Sequence, residues 1–485
     1  MDDILRSTAR TQLALLARGE VSARDLLAAA LERQASVGRE VNAVVSVDVD
    51  IAEAAAAASD ARRASGAPLG ALDGLPTAFK DLEEAAGFRT TWGSTRFRDH
   101  ISHRDSEVVG RIRAAGAVPY GKTNTPEFGT GSHTLNAVFG TTRNPYAPDR
   151  SAGGSSGGAA AALAAGLVSV ADGSDMGGSL RNPASFCNVV GVRPTPGLVS
   201  MAPAADPWAT LPVKGPMART TGDAALLLSV LAGASGRSPL SQPGDVSEFA
   251  RIAYETPRAD ALDGLRVLWC PTVGGLDVEQ RVRGVLDERG RRTLEAAGAV
   301  VVEDELVAEF AGADDAFRIP RAFAYAMQFG SLLDEHADAM SPELVANARW
   351  GLTITPADLW RAQELRGALF ARFADLFDRC DVIAAPAAAA APFPAERRWV
   401  DEIEGSRQGD YLDWMRAAWR FTPLGGASLS VPCGFTPEGL PVGLQLVGPP
   451  RSEARLLRIA AAFEERVPAW CETPAVLRAG APPRI

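Results

Sequence analysis

Lysine is nearly missing from these 485 residues. Of 49 basic side chains only Lys80, Lys122 and Lys214 are lysines, the rest being arginine. Arginine holds its proton at any accessible pH, whereas lysine releases one when desolvated, so a position that must act as a base cannot follow a general drift to arginine. Histidine is also sparse: His100, His103, His133 and His336 are all there are, and their spacing and neighbours form no metal site. The five cysteines, Cys187, Cys270, Cys380, Cys433 and Cys471, are odd in number and contain no C-x-x-C pair. That excludes a disulfide framework and reads as reduced, mostly buried thiols. Cys187 follows Ser179 by eight positions, but Phe186, Val189 and Val190 around it place it in the core. There is no basic run, and a net charge of -10 with a pI near 5.2 excludes a broad electrostatic hold on nucleic acid or anionic lipid. No apolar stretch is long enough for a membrane span, and the acidic start Met1-Asp2-Asp3-Ile4-Leu5 is unlike a secretory signal, so a cytoplasmic protein is expected.

What is present suits a globular protein with a large core: 46% apolar and 22% charged residues. Residues 10–35 show helical periodicity, with Ser22 and Asp25 set as a capping box before Leu26, Leu27, Ala30 and Leu31. A short strand is expected over Val41–Val47, a helix over Ile51–Ser65, a turn-rich run from Gly66 to Pro76, a helix over Arg104–Ala115 and a strand near Val118–Gly121. The loop Gly140–Gly158 runs into the helix formers Ala159–Ala165, a strand is expected over Val168–Ala171, and a glycine-rich turn over Asp172–Ser179. Leu265–Cys270, Val278–Ala297 and Ala299–Val302 read as a parallel βαβ unit, and strands recur over Asp381–Pro386, Ser428–Cys433 and Val442–Val447, before a closing helix near Ser452–Glu465. Neither the polar stretch Gly233–Ser247 nor the arginine-rich region Arg397–Arg407 reads as a linker. The expected fold is therefore one α/β domain over 1–485 around a mixed sheet flanked by helices. It has N-terminal helices in 1–65, a core in 66–230, and a C-terminal part in 231–485 with a helical insertion within 310–380.

Two Gly-Ser turns, Gly153-Gly154-Ser155-Ser156-Gly157-Gly158 and Asp175-Met176-Gly177-Gly178-Ser179, lie with a helix and a strand between them, so both hydroxyls can converge at one end of a sheet. The stretch Ser151–Ser200, ending in Gly177-Gly178-Ser179-Leu180-Arg181, resembles the amidase signature family. So do Gly74–Asp81 (GLPTAFKD), Gly121–Gly129 (GKTNTPEFG), Gly215–Leu228 and Ser430–Gly448, so that the likeness runs over nearly the whole chain. The resemblance implies Ser179 as nucleophile, Ser155 as the serine with a cis peptide bond, Lys80 as the base, and backbone N–H groups of Met176, Gly177, Gly178 and Ser179 as the oxyanion hole. The chemistry agrees: a serine hydroxyl needs a base within hydrogen-bond reach to attack an amide, and a lysine without a carboxylate partner is neutral if buried. Ser156, Ser174, Asp175 and Arg181 are candidates to orient the lysine and the glycine loop. Phe128, Trp208, Phe323 and Gly425 are candidates for an apolar pocket.

Other chemistries fit less well. Gly153-Gly154-Ser155-Ser156-Gly157 also matches a G-x-S-x-G nucleophile elbow, but that fold needs a later acid and histidine, and only His336 follows, in a helix-like surface stretch. No Gly-Lys-Ser/Thr closes the glycine loop as a phosphate site requires. Amidotransferase subunits of the same family need partner subunits, and Ala202–Pro212 departs from that branch. The expectation is a stand-alone serine hydrolase cleaving C–N amide bonds of a small aryl, alkyl or oligoamide substrate. Carbamate (urethane) or ester hydrolysis is the alternative, with no cofactor or metal, as a monomer or homodimer.

Overall fold

The computed structural model describes residues 2–241 and 245–478, so Met1 and residues 242–244 of the Gly233–Ser247 stretch lie outside the described residues. Helix α1 (Ala23–Ser36) begins with the capping box in place, Ser22 and Asp25 each satisfying the other's backbone N–H. A small sheet follows: β1 (Val44–Val47), then helix α2 (Val49–Ala64), β2 (Pro76–Lys80) and β3 (Val118–Thr123), in the order β1-β3-β2. Lys80 closes β2 opposite Thr123 in a parallel pairing. The run from Gly66 to Pro76 thus delivers the chain into a strand whose last residue is the lysine.

Helix α3 (Gly157–Ala164) is buried all round, which its alanines and glycines permit. A Cβ on Gly158 would fall 2.3 Å from the Asn124 nitrogen, so only glycine lets this helix start against β3. Strand β4 (Ala171–Asp175) comes next. The expected strand at Val168–Ala171 is therefore displaced: Val170 makes only an isolated bridge to Thr77, and the glycine-rich segment itself is extended through Asp175. Its small and polar residues hid it from a hydrophobic pattern. They are small because Gly173 packs against the Ser156 hydroxyl, where a Cβ would come within 2.9 Å.

A short helix α4 (Arg181–Phe186) leads to β5 (Val190–Arg193) and β6 (Val213–Ala218), then α5 (Thr221–Leu231). The βαβ unit is formed by β7 (Arg266–Trp269) and β8 (Val300–Glu303), which pair in parallel across a helix carrying a π turn at Leu286–Arg291. Between β8 and the next strand stand three long helices: α6 (Ala313–Phe329), α7 (Pro342–Gly351) and α8 (Pro356–Phe377), the last with its own capping box at Thr355 and Asp358. Strands β9 (Val382–Pro386), β10 (Ser428–Phe435) and β11 (Pro441–Val447) and helix α9 (Glu453–Arg466) complete the chain. The large sheet is eight-stranded, in the order β8-β7-β9-β11-β10-β5-β6-β4, with parallel pairs at β7 and antiparallel pairs elsewhere. Its β4 edge lies beside β2, joined by the Thr77–Val170 bridge. This is a single mixed α/β domain whose central sheet is flanked by helices, and the junction of the two sheets is where Lys80 and both serines meet. No described helix is long and apolar enough to cross a membrane.

Candidate active site

Lys80 is fully buried at the end of β2, and its Nζ lies 2.8 Å from Ser155 Oγ, 2.8 Å from Ser156 Oγ and 3.0 Å from Ser174 Oγ. Ser155 and Ser156 come from the loop before α3, Ser174 from β4. Burial pushes the amine down to about 7, against the pull of Asp172, Glu83 and Asp175. The sequence led us to expect no carboxylate near this lysine. Carboxylates are near it, yet none bonds Nζ; Asp172 takes the backbone N–H of Lys80 at 3.1 Å instead. A neutral amine has one lone pair and two hydrogens, so one of the three hydroxyls must donate to it. The Ser156 hydroxyl is spent on the Ser174 carbonyl at 3.3 Å, whereas Ser155 Oγ has no bond but the one to Lys80 among the described residues. Ser174 Oγ likewise bonds only Lys80, so the hydroxyls of Ser155 and Ser174 are the two whose protons can turn to the amine.

The Gly154–Ser155 peptide is cis, as the resemblance implied. Ser179 sits just ahead of α4, its carbonyl accepting from Ser156 N–H at 3.2 Å. Its own hydroxyl has no partner among the described residues, and the residue is 8% exposed. The segment is braced from beneath. Asp175 accepts from the backbone N–H groups of Gly178 (2.9 Å) and Leu180 (3.1 Å) and from Arg181 Nε and Nη2 (3.0 and 2.9 Å). Arg181 reaches on to Gln445 Oε1 at 2.7 Å and to the Ala418 carbonyl. Burial raises the Asp175 carboxyl, but Arg181, Arg193 and the Gly178 N–H outweigh it and hold it well below the usual carboxylate range.

This bracing corrects one expectation. The Gly178 N–H is turned inward onto Asp175 and cannot serve an oxyanion; the N–H groups of Met176, Gly177 and Ser179 have no acceptor among the described residues. Gly178 itself is in the left-handed region at φ 108, with Ala418 only 2.7 Å from where a Cβ would be, so no other residue makes this turn.

The expected pocket residues divide. Phe128 packs with Met176, Leu332 and Met340 against the apolar cluster of α6 and α7 that contains Tyr325 and Phe329, its ring 5.0 Å from Phe329. With Ser94, Thr95, Arg96, Leu332, His336, Ala339 and Met340 it lines a cavity of about 240 Å³. The following residue, Gly129, would place a Cβ 3.6 Å from Ser155 Oγ, so the segment that shapes this cavity also passes Ser155. Gly425 is half-buried, left-handed at φ 65, and faces open space. Trp208 does not line a pocket: it is 67% exposed in the loop before β6. Nor does Phe323 belong to either hydrophobic cluster. Beside Gly177 stands Phe317, 3.5 Å from the Cβ position and stacked on Trp419 at 4.5 Å. Both lie on α6, and sequence periodicity alone does not say which of the two turns toward the glycine loop.

The histidines and Cys187 take structural places. His133 is buried between Ser151 Oγ (2.7 Å) and the Ala395 carbonyl (2.9 Å), and burial pushes it down to about 4. Cys187 is fully buried and its thiol is pushed up. His336 is partly exposed at the cavity wall. His336→Ala should therefore change Ser179 labelling by well under an order of magnitude, read as the rate of reaction with an aryl fluorophosphonate. What sequence reasoning missed is the buried charge around Lys80. Asp172 and Glu83, together with Asp81 and the other two lysines, form a network beneath it, and all three lysines of the chain are buried there.

The amidase family pattern matches residues 25–457. Among curated proteins, the chain is 35% identical to the A subunit of the glutamyl-tRNA(Gln) amidotransferase of Thermosynechococcus vestitus, over 93% of this chain and 96% of that one. It is 33% identical to an acylamidase of Rhodococcus erythropolis over 96% of both. Among solved structures, a bacterial aryl acylamidase of the amidase signature family superposes with a TM-score of 0.88 at 28% identity, covering 98% of this chain and 99% of that one. With this fold and this meeting of serines and lysine, the chain belongs to the amidase signature family and is an amide-hydrolysing enzyme.

Proposed function

We propose that this protein is a stand-alone amidase acting on small amides with an apolar aryl or alkyl group, through an acyl-enzyme on Ser179. The observation that carries the proposal is the buried Lys80 amine within 2.8 Å of Ser155 Oγ, with no carboxylate on its nitrogen. Ser179 Oγ attacks the amide carbonyl while its proton passes to Ser155 Oγ, whose own proton passes to Lys80 Nζ. The negative oxygen of the tetrahedral intermediate is met by the N–H groups of Met176, Gly177 and Ser179, each such donor typically contributing about 2.7 to 4 kcal/mol. Lysine then returns a proton through Ser155 to the leaving nitrogen, the C–N bond breaks, and the amine departs. Water attacks the Ser179 ester by the same relay and frees the acid. Ser156 and Ser174 hold the amine in place, and Asp175 with Arg181 holds the glycine loop.

The apolar substrate class is supported by the cavity walled by Phe128, Leu332 and Met340 and by the acylamidase relative. Carbamates and esters present the same carbonyl to the same groups and are the second reading. The amidotransferase relatives raise another, ammonia supply within a complex, which turnover of glutamine would reveal. The test is intact-mass spectrometry and peptide mapping after an aryl fluorophosphonate, followed by rates on anilides, carbamates, esters and glutamine. A single adduct on Ser179 with fast anilide turnover supports the proposal; an adduct on Ser155, or turnover of glutamine alone, overturns it. The pH dependence is also set. The base must be neutral, and Lys80 is pushed down to about 7, so kcat/KM should hold above pH 7 and fall as pH drops through it.

A further inference from the structure

Asp172 is a buried carboxylate that the relay does not use. It lies on β4 two residues before Ser174, and in a strand residues two apart share a face. Ser174 thus takes the Lys80 amine while Asp172 takes the Lys80 backbone N–H, at 3.1 and 3.4 Å from its two oxygens. The neighbouring charges are paired off without it. Lys122 Nζ, from β3, is 3.6 Å from Asp81 and donates to Thr90 Oγ1 at 2.9 Å. Lys214 Nζ, from β6, is 2.8 Å from Glu83, which also accepts from Ser106. Asp175 belongs to Arg181 and Arg193. In this cluster, among the described residues, Asp172 is the carboxylate with no cation on its oxygens, and Lys80 the cation with no carboxylate on its nitrogen.

We propose that Asp172 is a positioning residue for the base, holding the end of β2 through the Lys80 N–H and setting by its charge how tightly the Lys80 amine holds a proton. The proposal rests on Lys80 being the base of the relay. A carboxylate this close in a dry interior favours the ammonium form and so opposes the burial that keeps the amine neutral. Burial and Glu83 push Asp172 up to about 7, the same range as Lys80, so whether the carboxyl is charged bears on whether the amine is. Well above that range the amine is neutral, the carboxylate is ionised and the relay is armed. As pH falls, the first proton either disarms the enzyme by sitting on Lys80 or leaves it armed by sitting on Asp172. Removing the charge while keeping an acceptor for the Lys80 N–H lowers the proton affinity of the lysine, and the acid limb of activity should move to lower pH.

The experiment follows Ser179 labelling by an aryl fluorophosphonate against pH in wild type, Asp172→Asn and Asp172→Ser. In parallel, the lysine Cε signals are followed by NMR on protein carrying 13C-lysine. With only three lysines in the chain, each signal can be assigned by substitution. The expected result is an acid limb displaced downward by about 1 to 3 pH units in both variants, with the Lys80 signal moving in step and the Lys122 signal, whose amine Asp172 also draws toward its charged form, moving the same way. An unmoved limb in a folded variant overturns the proposal. Wild-type protein tests the same point without any variant: its Lys80 signal should show a second, smaller inflection as the neighbouring carboxyl takes up a proton, and a one-step curve overturns the proposal even if neither variant folds. Wild-type labelling elsewhere than Ser179 would instead sink the relay on which it rests.

Discussion

Ser179→Ala should lower kcat for an anilide substrate by about 10⁶, the loss seen when a serine nucleophile acting in a relay is removed. That is worth roughly 8 kcal/mol of transition-state stabilisation at about 1.36 kcal/mol per tenfold. The fold should barely notice. The hydroxyl makes no hydrogen bond among the described residues, so nothing is orphaned when it goes, while the backbone of the same residue keeps its carbonyl bond from Ser156. The melting temperature should stay within a degree or two of wild type, since a small buried side chain is replaced by a smaller one and no hydrogen bond is lost. On the proposed function substrate should still bind, because the substitution removes a single hydroxyl and leaves the other proposed contacts in place. The combination is diagnostic: normal stability, normal binding by equilibrium titration, no turnover and no fluorophosphonate adduct. A variant that keeps even a hundredth of wild-type turnover would show that another group attacks. Peptide mapping would then say whether Ser155 is that group.

Most of what positions these groups was legible in the residues because the chemistry is local. The order Lys80, Ser155, Ser179 and the glycines around the serines sit in short motifs, and the helix and strand between the turns bring both hydroxyls to one end of the sheet. Capping at Ser22 and the βαβ pairing of Arg266–Trp269 with Val300–Glu303 follow from local pattern in the same way. What escaped was whatever depends on which face an atom turns to. The Gly178 N–H points at Asp175 and not into the site, a matter of one peptide's rotation. Phe317 and Phe323 share a helix, and only the packing against Trp419 tells them apart. Strand β4 was hidden because Gly173 and Ser174 must be small or polar to meet Ser156 and Lys80, so this buried edge strand carries no apolar alternation there. Asp172 and Glu83 were hidden for a related reason. A buried carboxylate and a surface one look alike in a sequence, and only the packing of the two sheets against each other puts these two inside.

Lys80→Ala should lower turnover by about 10⁴ or more, at the upper end of what a positioned base contributes. The variant loses the one side chain that, among the described residues, bonds the Ser155 hydroxyl, and its residual rate should lack the acid limb near pH 7 and climb with hydroxide. It should also be destabilised. The side chain is fully buried, and its removal leaves a cavity between β2 and α3 and deprives the Ser155 and Ser174 hydroxyls of their partner. Stability and activity therefore have to be separated, and Lys80→Arg is the control that does it. Arginine restores a cation near Asp172 and Glu83 and refills much of the volume, yet it cannot give up its proton in the accessible range. If lysine served only as a positive charge bracing three serines, arginine would recover activity along with stability. If it serves as a base, arginine recovers stability at most, and turnover stays as low as in Lys80→Ala across the whole pH range. The near-absence of lysine from the chain points to the second outcome. Almost every other basic position is arginine, and this one, at the meeting of two sheets and in contact with three hydroxyls, is among the three that are not.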